Sequence, residues 1–506
     1  MRDKLYDPLT HRVEATPERT ALVDAETGET TDYATLDKRV DGFAASLRRL
    51  GVDKGDHLGV LMETRTEFFV LVHASTRLNT PLVPINVRLT PSEVEERLDA
   101  ADVSAVVCEA ETEEKVRGAV KTEPGGLTRV TVDEAESDGV ESLDTDPSTA
   151  SDAFVTRLPR SPLDTACIPF TSGTEGDSKP VRLSYANFVS SATASALRLG
   201  HLPDDRRLVC LPMYHMGGLS HVFRSTLHGT TAVVQEGGGF DAKETVDNIV
   251  EYGVTQVSMV PTMLRRILDT GRASELDSLR YVLLGGAPAT EELLRDAAEE
   301  GITVSPTYGM TETASQIATV TPGTLFDEAG PESVGHPLVT TRVRIVDEGE
   351  VVGAEETGEV VVSGPTVTDG YYGEPEATRD AFCEHGLKTG DIGYKDVSGH
   401  LYVVGRKDDT IITGGEKVSP DEVASVILEH PRVKEAAVLG VEDLDWGEKV
   451  CALVVARDGD KKVSIKEHCA DRLAGHKRPR TYVFVDEIPR TASGTVDREA
   501  ARDLIE

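Results

Sequence analysis

TAVVQEGGGFDAKETVDNIVEYGVTQVSMVPTMLRRILDTGRASELDSLRYVLL, residues 231–284, carries the rhythm that decides the fold class. Short apolar runs at Thr231–Val234, Gln256–Val260 and Tyr281–Leu284 read as strands, and amphipathic stretches at Ala242–Tyr252 and Thr262–Asp269 read as the helices between them. Strands that alternate with helices build parallel sheets covered on both faces. The rhythm extends toward the N-terminus, with helices at Tyr33–Leu50, Glu67–Leu78, Asn187–Leu199 and after His215. Strands are expected at Leu58–Met62, Pro81–Ile85, Ala166–Phe170 and Arg207–Leu211. Between Gly335 and Gly364 the pattern changes to short β runs, including Val343–Val346 and Glu359–Val362, which predict a small barrel or antiparallel sheet. After Arg406 follows an α+β segment of about 100 residues, a plausible domain by size. The expectation is an α/β protein: a large N-terminal domain, residues 1–406, of doubly wound parallel sheets plus a small β-barrel-like subdomain, and a C-terminal α+β domain, residues 407–506. Residues Glu109 to Pro162, rich in Glu, Asp, Thr and Ser, read as mobile surface or a loosely built excursion, and no function is assigned to them.

Across 506 residues, 88 acidic and 53 basic side chains leave a net charge of -35. That balance argues against nucleic acid as a partner, because phosphate binding needs clustered cations, and it disfavours anionic membranes. The bases divide into 36 Arg and 17 Lys, and the acids are spread along the chain. A dispersed acidic surface poor in Lys fits strong salt, where screening removes the self-repulsion; an ordinary acidic bacterial enzyme is the alternative. No run of 18 apolar residues offers a membrane span, and the beginning of the sequence lacks a secretory pattern, so the cytoplasm is expected. The six cysteines (Cys108, Cys167, Cys210, Cys383, Cys451, Cys469) lie far apart, without CxxC or zinc spacing, and read as buried thiols.

Four strings carry chemistry. Thr171-Ser-Gly-Thr-Glu-Gly-Asp-Ser-Lys179 follows an apolar run and can close backbone N–H groups, hydroxyls and a lysine around a polyphosphate. Its spacing differs from GxxxxGK[ST], which argues against a P-loop NTPase. Ser305-Pro-Thr-Tyr-Gly-Met-Thr-Glu312 follows the strand-like Ile302–Val304 and sets a carboxylate beside hydroxyls, a donor set for Mg²⁺ against a phosphate. Lys388-Thr-Gly-Asp391 places an acid after a tight turn, suited to a ribose diol. Gly399 to Glu416 adds a strand, a basic residue, a charged joint and a second Gly-rich loop.

In this order the strings resemble the adenylate-forming superfamily of acyl-CoA synthetases, luciferases and peptide-synthetase adenylation domains, over nearly the whole chain. The resemblance implies an acid–thiol ligase working in two half-reactions: a carboxylate and MgATP give an acyl-adenylate and pyrophosphate, then a thiol displaces AMP. It implies ATP, Mg²⁺ and coenzyme A as cofactors or substrates, a small carboxylic acid as partner, and a C-terminal domain that rotates as a lid. It leaves the oligomeric state open, with a homodimer as one option. Carried over by position, Thr171, Ser172, Gly173, Thr174, Gly176 and Lys179 wrap the β- and γ-phosphates, with Thr174 and Glu312 on Mg²⁺. Gly286, Ala287, Tyr308 and Gly309 match adenine-pocket positions, Thr311 an α-phosphate contact, and Asp391 and Arg406 the ribose pair. Asp408 falls at the hinge, and Gly414, Gly415 and Glu416 match the loop that swings in for thiolation. Trp446, the only tryptophan, matches a position near the pantetheine tunnel, or else caps a core.

Two departures from the family pattern stand out. Glu175, Ser178 and Pro180 replace the Thr, Pro and Gly of the phosphate loop. In Pro489-Arg-Thr-Ala-Ser-Gly-Thr-Val-Asp-Arg498, Thr495 stands where the family keeps its adenylation lysine, and losing one such donor costs about 10²–10³ in rate. Three readings remain: another cation (Lys477, Arg490, Arg498 or K⁺) substitutes, adenylation is slow, or the chain is a non-catalytic nucleotide-binding relative.

For the acid, Leu211-Pro-Met-Tyr-His-Met-Gly-Gly-Leu219 resembles the segment that gates the acyl pocket, which sets His215 against the substrate carboxylate. The string Ser305 to Thr319 is most similar to that of the 2-succinylbenzoate–CoA ligases of menaquinone synthesis, with Arg224 where those enzymes keep a basic residue. A buried Arg224 with Ser315 could satisfy the carboxylate of such an acid that is not activated. A surface arginine paired with an acid, and a ligase for another aryl or medium-chain acid, are the alternatives.

Overall fold

Residues 231–284 supply the centre of a nine-stranded sheet in the computed structural model, which describes residues 7–119, 127–144, 160–171, 178–237, 239–407, 409, 411–414, 416–443, 446–457, 465–490 and 496–505. Among the described residues its strands run, in spatial order, His336–Pro337, Ser315–Thr319, Val304–Met310, Tyr281–Leu284, Gln256–Met259, Arg206–Val209, Thr231–Val234, Thr20–Asp24 and Thr30–Asp32. From Val304–Met310 to Thr20–Asp24 the pairing is parallel, and the outer strands are antiparallel. Thr231–Val234, Gln256–Met259 and Tyr281–Leu284 are buried at every residue. A strand covered by helices on both faces has no solvent side, hence its unbroken apolar text.

The second sheet is ordered Glu141–Ser142, Thr128–Thr131, Val103–Cys108, His57–Leu61, Leu82–Pro84, Thr165–Cys167 and Leu183–Ser184, parallel except at the last strand. Helices start where side chains take up free backbone N–H groups: Asp241 accepts from Lys243 and Glu244, each at 2.9 Å, at the head of Ala242–Glu251. Ser184 and Asn187 form a reciprocal cap on Tyr185–Leu199.

An antiparallel sheet follows, built from Glu350–Val351, Arg342–Asp347, Gly358–Ser363, Gly386–Lys395, Phe382–Cys383 and Leu401–Arg406. Its core residues Val343, Ile345, Val360, Val362, Leu387 and Leu401 pack with Ile317 and Ala318 of the large sheet. The C-terminal segment has its own sheet (Ile411–Thr413, Glu416–Val418, Val433–Asp443, Gly447–Ala456, Thr481–Phe484) and its own apolar clusters. It meets the preceding sheet where Ser419 Oγ donates to the Val404 carbonyl at 2.7 Å. No described helix is long and apolar enough to cross a membrane.

Four expectations need correction. Within Glu109 to Pro162, Ala110–Ala119 is a helix and Thr128–Thr131 a sheet strand. The acid-rich text there is the wet face of a helix that buries Thr112, Glu113, Val116 and Ala119. Ser305 to Met310 does not follow a strand but is the strand, Val304–Met310. Asp391 does not follow a tight turn: it lies inside Gly386–Lys395, at an irregularity in the pairing with Gly358–Ser363 where Gly390 takes φ 74°. A bulge reads like a turn in sequence because both need a glycine at positive φ. Of the cysteines, Cys383 is exposed on an edge strand and Cys210 half-buried.

Candidate active site

The site assembles where the antiparallel sheet packs on the C-terminal ends of the parallel strands, the side on which open α/β sheets bind ligands. Gly309 pairs with Gln316 across the hairpin, and a Cβ at Gly309 would sit 1.7 Å from the Ser315 carbonyl oxygen. Only glycine permits that approach. Between the strands, the 3₁₀ turn Thr311–Thr313 leads into Ala314 and Ser315 at φ 50° and 109°. Such backbone costs on the order of 1–3 kcal/mol at a non-glycine residue and tends to collect at functional sites.

That turn sets the Glu312 carboxylate inward, 6% exposed, with the Tyr371 hydroxyl donating to Oε1 at 3.0 Å. Burial pushes the Glu312 carboxyl above its usual range, against the pull of the Tyr371 hydrogen bond and of Arg406 and Lys179. Lys179 Nζ lies 5.4 Å over the Tyr371 ring. The neck of the expected phosphate loop is closed: Thr171 N donates to the Lys179 carbonyl at 3.0 Å, Lys179 N to Thr171 Oγ1 at 2.9 Å, and Ser178 Oγ to the Thr171 carbonyl. Tyr371→Phe should destabilise the protein by about 1 kcal/mol, the net worth of the hydrogen bond it removes, with thermal melting as the measurement.

On the opposite wall, Tyr308 donates its hydroxyl to Asp391 Oδ2, and Arg406 Nη1 stands 3.3 Å from Asp391 Oδ1. Asp391 and Arg406 are cross-strand partners, so the register fixes the pair. Burial raises the Asp391 carboxyl pKa, opposed by these two neighbours. Gly286 and Ala287 lie exposed just past the end of Tyr281–Leu284, beside that wall. Thr311, Glu312, Tyr308, Gly309, Asp391, Arg406 and Lys179 are thus brought together. Ser172, Gly173, Thr174, Gly176, Asp408, Gly415 and Thr495 lie outside the described residues.

The helix Met216–His228 supplies the third wall. His215 caps its start in extended backbone, its ring 4.8 Å from that of Tyr214. Burial, with a smaller push from Arg88, brings the His215 pKa down to about 4, so the imidazole is neutral at ordinary pH. Arg224, on the same helix, is 2% exposed. Its Nη2 donates to Ser315 Oγ at 3.2 Å and Gln316 Oε1 at 2.9 Å. No carboxylate among the described residues forms an ion pair with it, and burial, with Arg207 beside it, pulls its pKa down to about 9. A surface arginine paired with an acid is therefore ruled out.

Gly414 and Glu416 lie at the turn of one hairpin, and Trp446 stands beside it in the turn between Val433–Asp443 and Gly447–Ala456. Gly414 N donates to the Trp446 carbonyl at 2.8 Å, and Glu416 is exposed at the start of the returning strand. Trp446 is 40% exposed and carries the Arg480 guanidinium 3.6 Å above its ring, so it caps no core. The cations considered as substitutes at Thr495 are engaged: Lys477 with Glu422 at 2.6 Å, Arg490 with Glu435 at 2.9 Å, and Arg498 with Asp409.

Gln316, Tyr371, Arg207 and His221 were not singled out in the sequence. Gln316 had a signal, standing beside Ser315 in the quoted string. Tyr371 had none, because its approach to Glu312 depends on a bridge to Val181, far away in the chain.

Comparison with known proteins finds similarity along nearly the whole chain. A family model described as AMP-binding enzyme matches residues 9–372, and one described as AMP-binding enzyme C-terminal domain matches residues 422–495. The 2-succinylbenzoate–CoA ligase of Bacillus pumilus is 36% identical over 491 residues, covering 97% of this chain and 96% of that one. The o-succinylbenzoate CoA synthetase of Bacillus subtilis in complex with its acyl-adenylate intermediate superposes with a TM-score of 0.89 at 33% identity, covering 99% and 98% of the two chains. A double mutant of that synthetase bound to a product analogue covers the same shares at 34% identity with a TM-score of 0.73.

Proposed function

This chain belongs to the AMP-binding enzyme family, and from that premise we propose that it is an ATP-dependent acid–CoA ligase whose acid is 2-succinylbenzoate. The observation that carries the acid is Arg224: a guanidinium buried with Ser315 and Gln316 and, among the described residues, no carboxylate of its own. Leaving a buried cation uncompensated is costly, and a carboxylate arriving on the substrate completes the pair. A fatty acid offers no such group.

In the first half-reaction the succinyl carboxylate attacks the α-phosphorus of ATP and pyrophosphate leaves. Lys179 and the loop it closes hold the outer phosphates, Asp391 and Arg406 the ribose, and Tyr308, Gly309, Gly286 and Ala287 the adenine. Neutral His215 lies against the reacting carboxylate, where it can donate a hydrogen bond without adding charge. In the second half-reaction the CoA thiolate attacks the acyl carbonyl carbon and AMP leaves, with Gly414, Glu416 and Trp446 on the thiol side. The chain follows the adenylate-bound relative more closely than the product-analogue complex, which supports reading this arrangement as the one for the first step. The boundary near residue 407 and the hinge at Asp408, which lies outside the described residues, we assign from the sequence pattern after Arg406 and the family resemblance.

Glu312 fits magnesium: its buried carboxylate has a tyrosine hydroxyl but no ion-paired cation among the described residues, and burial raises its pKa. Among those residues no cluster of three or more His, Cys, Asp or Glu could hold a metal alone, as suits an ion shared with phosphates. Magnesium, when bound by Glu312 and Thr174, would neutralise charge on the transferring phosphates. The net charge of -35 supports work in strong salt, and the choice of ATP and CoA supports the cytoplasm.

The test is AMP release and acyl-CoA mass across a panel of aryl and medium-chain acids in molar KCl. 2-Succinylbenzoate should be preferred, and turnover of another acid without it would overturn the assignment. In the same assay Thr495→Lys should speed adenylation about tenfold, a conservative share of what one preorganised donor supplies. An unchanged rate would mean another cation already serves.

A further inference from the structure

Behind the acyl pocket two arginines lie buried near each other, and the reaction so far uses only one. Arg207 is 5% exposed and Arg224 2%. From the strand Arg206–Val209, Arg207 Nη2 donates to Gln256 Oε1, and Nη1 lies 3.5 Å from Nδ1 of His221. His221 is 1% exposed and stands on Met216–His228, one turn before Arg224. Its pKa is held well below the usual value by burial and by both guanidiniums, so it is neutral and Nδ1 can accept from Arg207. Among the described residues, Nε of each arginine and Nε2 of His221 have no hydrogen-bond partner.

In a chain with 88 acids, neither guanidinium forms an ion pair with a carboxylate among the described residues. The buried acid nearest in sequence, Asp205, is committed to Arg280 at 2.7 Å. Two like charges in a low-dielectric interior repel, and an anion placed against either one relieves the repulsion of both.

We propose that Arg207 is a positioning residue for the acid: through His221 and through its charge, it strengthens the hold of Arg224 on the substrate carboxylate that is not activated. The inference rests on the reading above that this acid carries a second carboxylate. Arg207 touches no reacting atom, and its effect belongs to substrate binding.

The experiment compares full-length wild type, Arg207→Gln and Arg207→Lys in molar KCl, with 2-succinylbenzoate and with 4-oxo-4-phenylbutanoate, the same acid without its ring carboxylate. Arg207→Gln should raise KM for 2-succinylbenzoate about tenfold and leave KM for ATP and for the analogue within about twofold. Arg207→Lys, which keeps the charge, should restore the KM. A structural role alone would move both acids together and would not be rescued by lysine. Unchanged KM in Arg207→Gln, an equal rise for both acids, or a lysine variant as impaired as the glutamine one would overturn the proposal. Should Arg207→Gln not fold, Arg207→Lys decides: near-wild-type KM on both acids supports the role, and an equal rise on both defeats it. Wild type that does not favour 2-succinylbenzoate defeats the substrate reading and this inference with it; wild-type preference retained in Arg207→Gln defeats this inference alone.

Discussion

Arg224→Gln should raise KM for 2-succinylbenzoate by about 30- to 3,000-fold, the equivalent of about 2–5 kcal/mol for removing one partner of a buried charged pair. The size follows from burial: with Arg224 2% exposed, a substrate carboxylate left without it gains no water in exchange. KM for ATP should move far less, because the helix Met216–His228 that carries Arg224 holds none of the residues proposed for the nucleotide. The ligand-free variant should melt no lower than the wild type, since the mutation removes a buried cation whose hydrogen-bond partners among the described residues are Ser315 and Gln316. Kinetics paired with thermal melting separate the two effects, and a fall in both stability and affinity for every acid would make Arg224 a packing residue.

Glu312→Gln should cut the rate of adenylation about 10²–10³-fold while leaving thioester formation from added acyl-adenylate nearly intact. The amide keeps the shape and can still accept from Tyr371, so the loss isolates the charge. The variant also tests the electrostatics. The Glu312 pKa is raised in the folded protein, so its contribution to stability is present below the unfolded value and is lost as pH rises through the folded one. Glu312→Gln should therefore gain in stability relative to wild type as pH rises above the ordinary carboxylate range. Melting curves across that rise check the sign, and a variant destabilised more at high pH would contradict it.

How much of the site could be read in the sequence depended on how local each feature is. Val304–Met310, its turn and Ser315–Thr319 form one hairpin, so Tyr308, Gly309, Glu312 and Ser315 could be placed from contiguous text. Asp391 and Arg406 belong to another adjacent pair of strands. The Tyr371–Glu312 and Arg207–His221 contacts join residues 59 and 14 positions apart on different elements, and no period or motif marks them. The helix Ala110–Ala119 was missed for another reason: its polar face outnumbers the four residues it buries.

By itself the sequence determined the alternation of strand and helix, because burial on both faces of a parallel sheet writes unbroken apolar runs, and it singled out the strings that form the hairpin Val304–Thr319 and the strand pair of Asp391 and Arg406, because each is read within one short segment. Only the tertiary structure decided that Arg224 is buried without an acid, that Trp446 is half-open beneath Arg480, and that Lys477, Arg490 and Arg498 are engaged. Charge is a property of a residue, whereas its burial and its partner are properties of the packing, and packing sums over segments that the chain brings together only when folded.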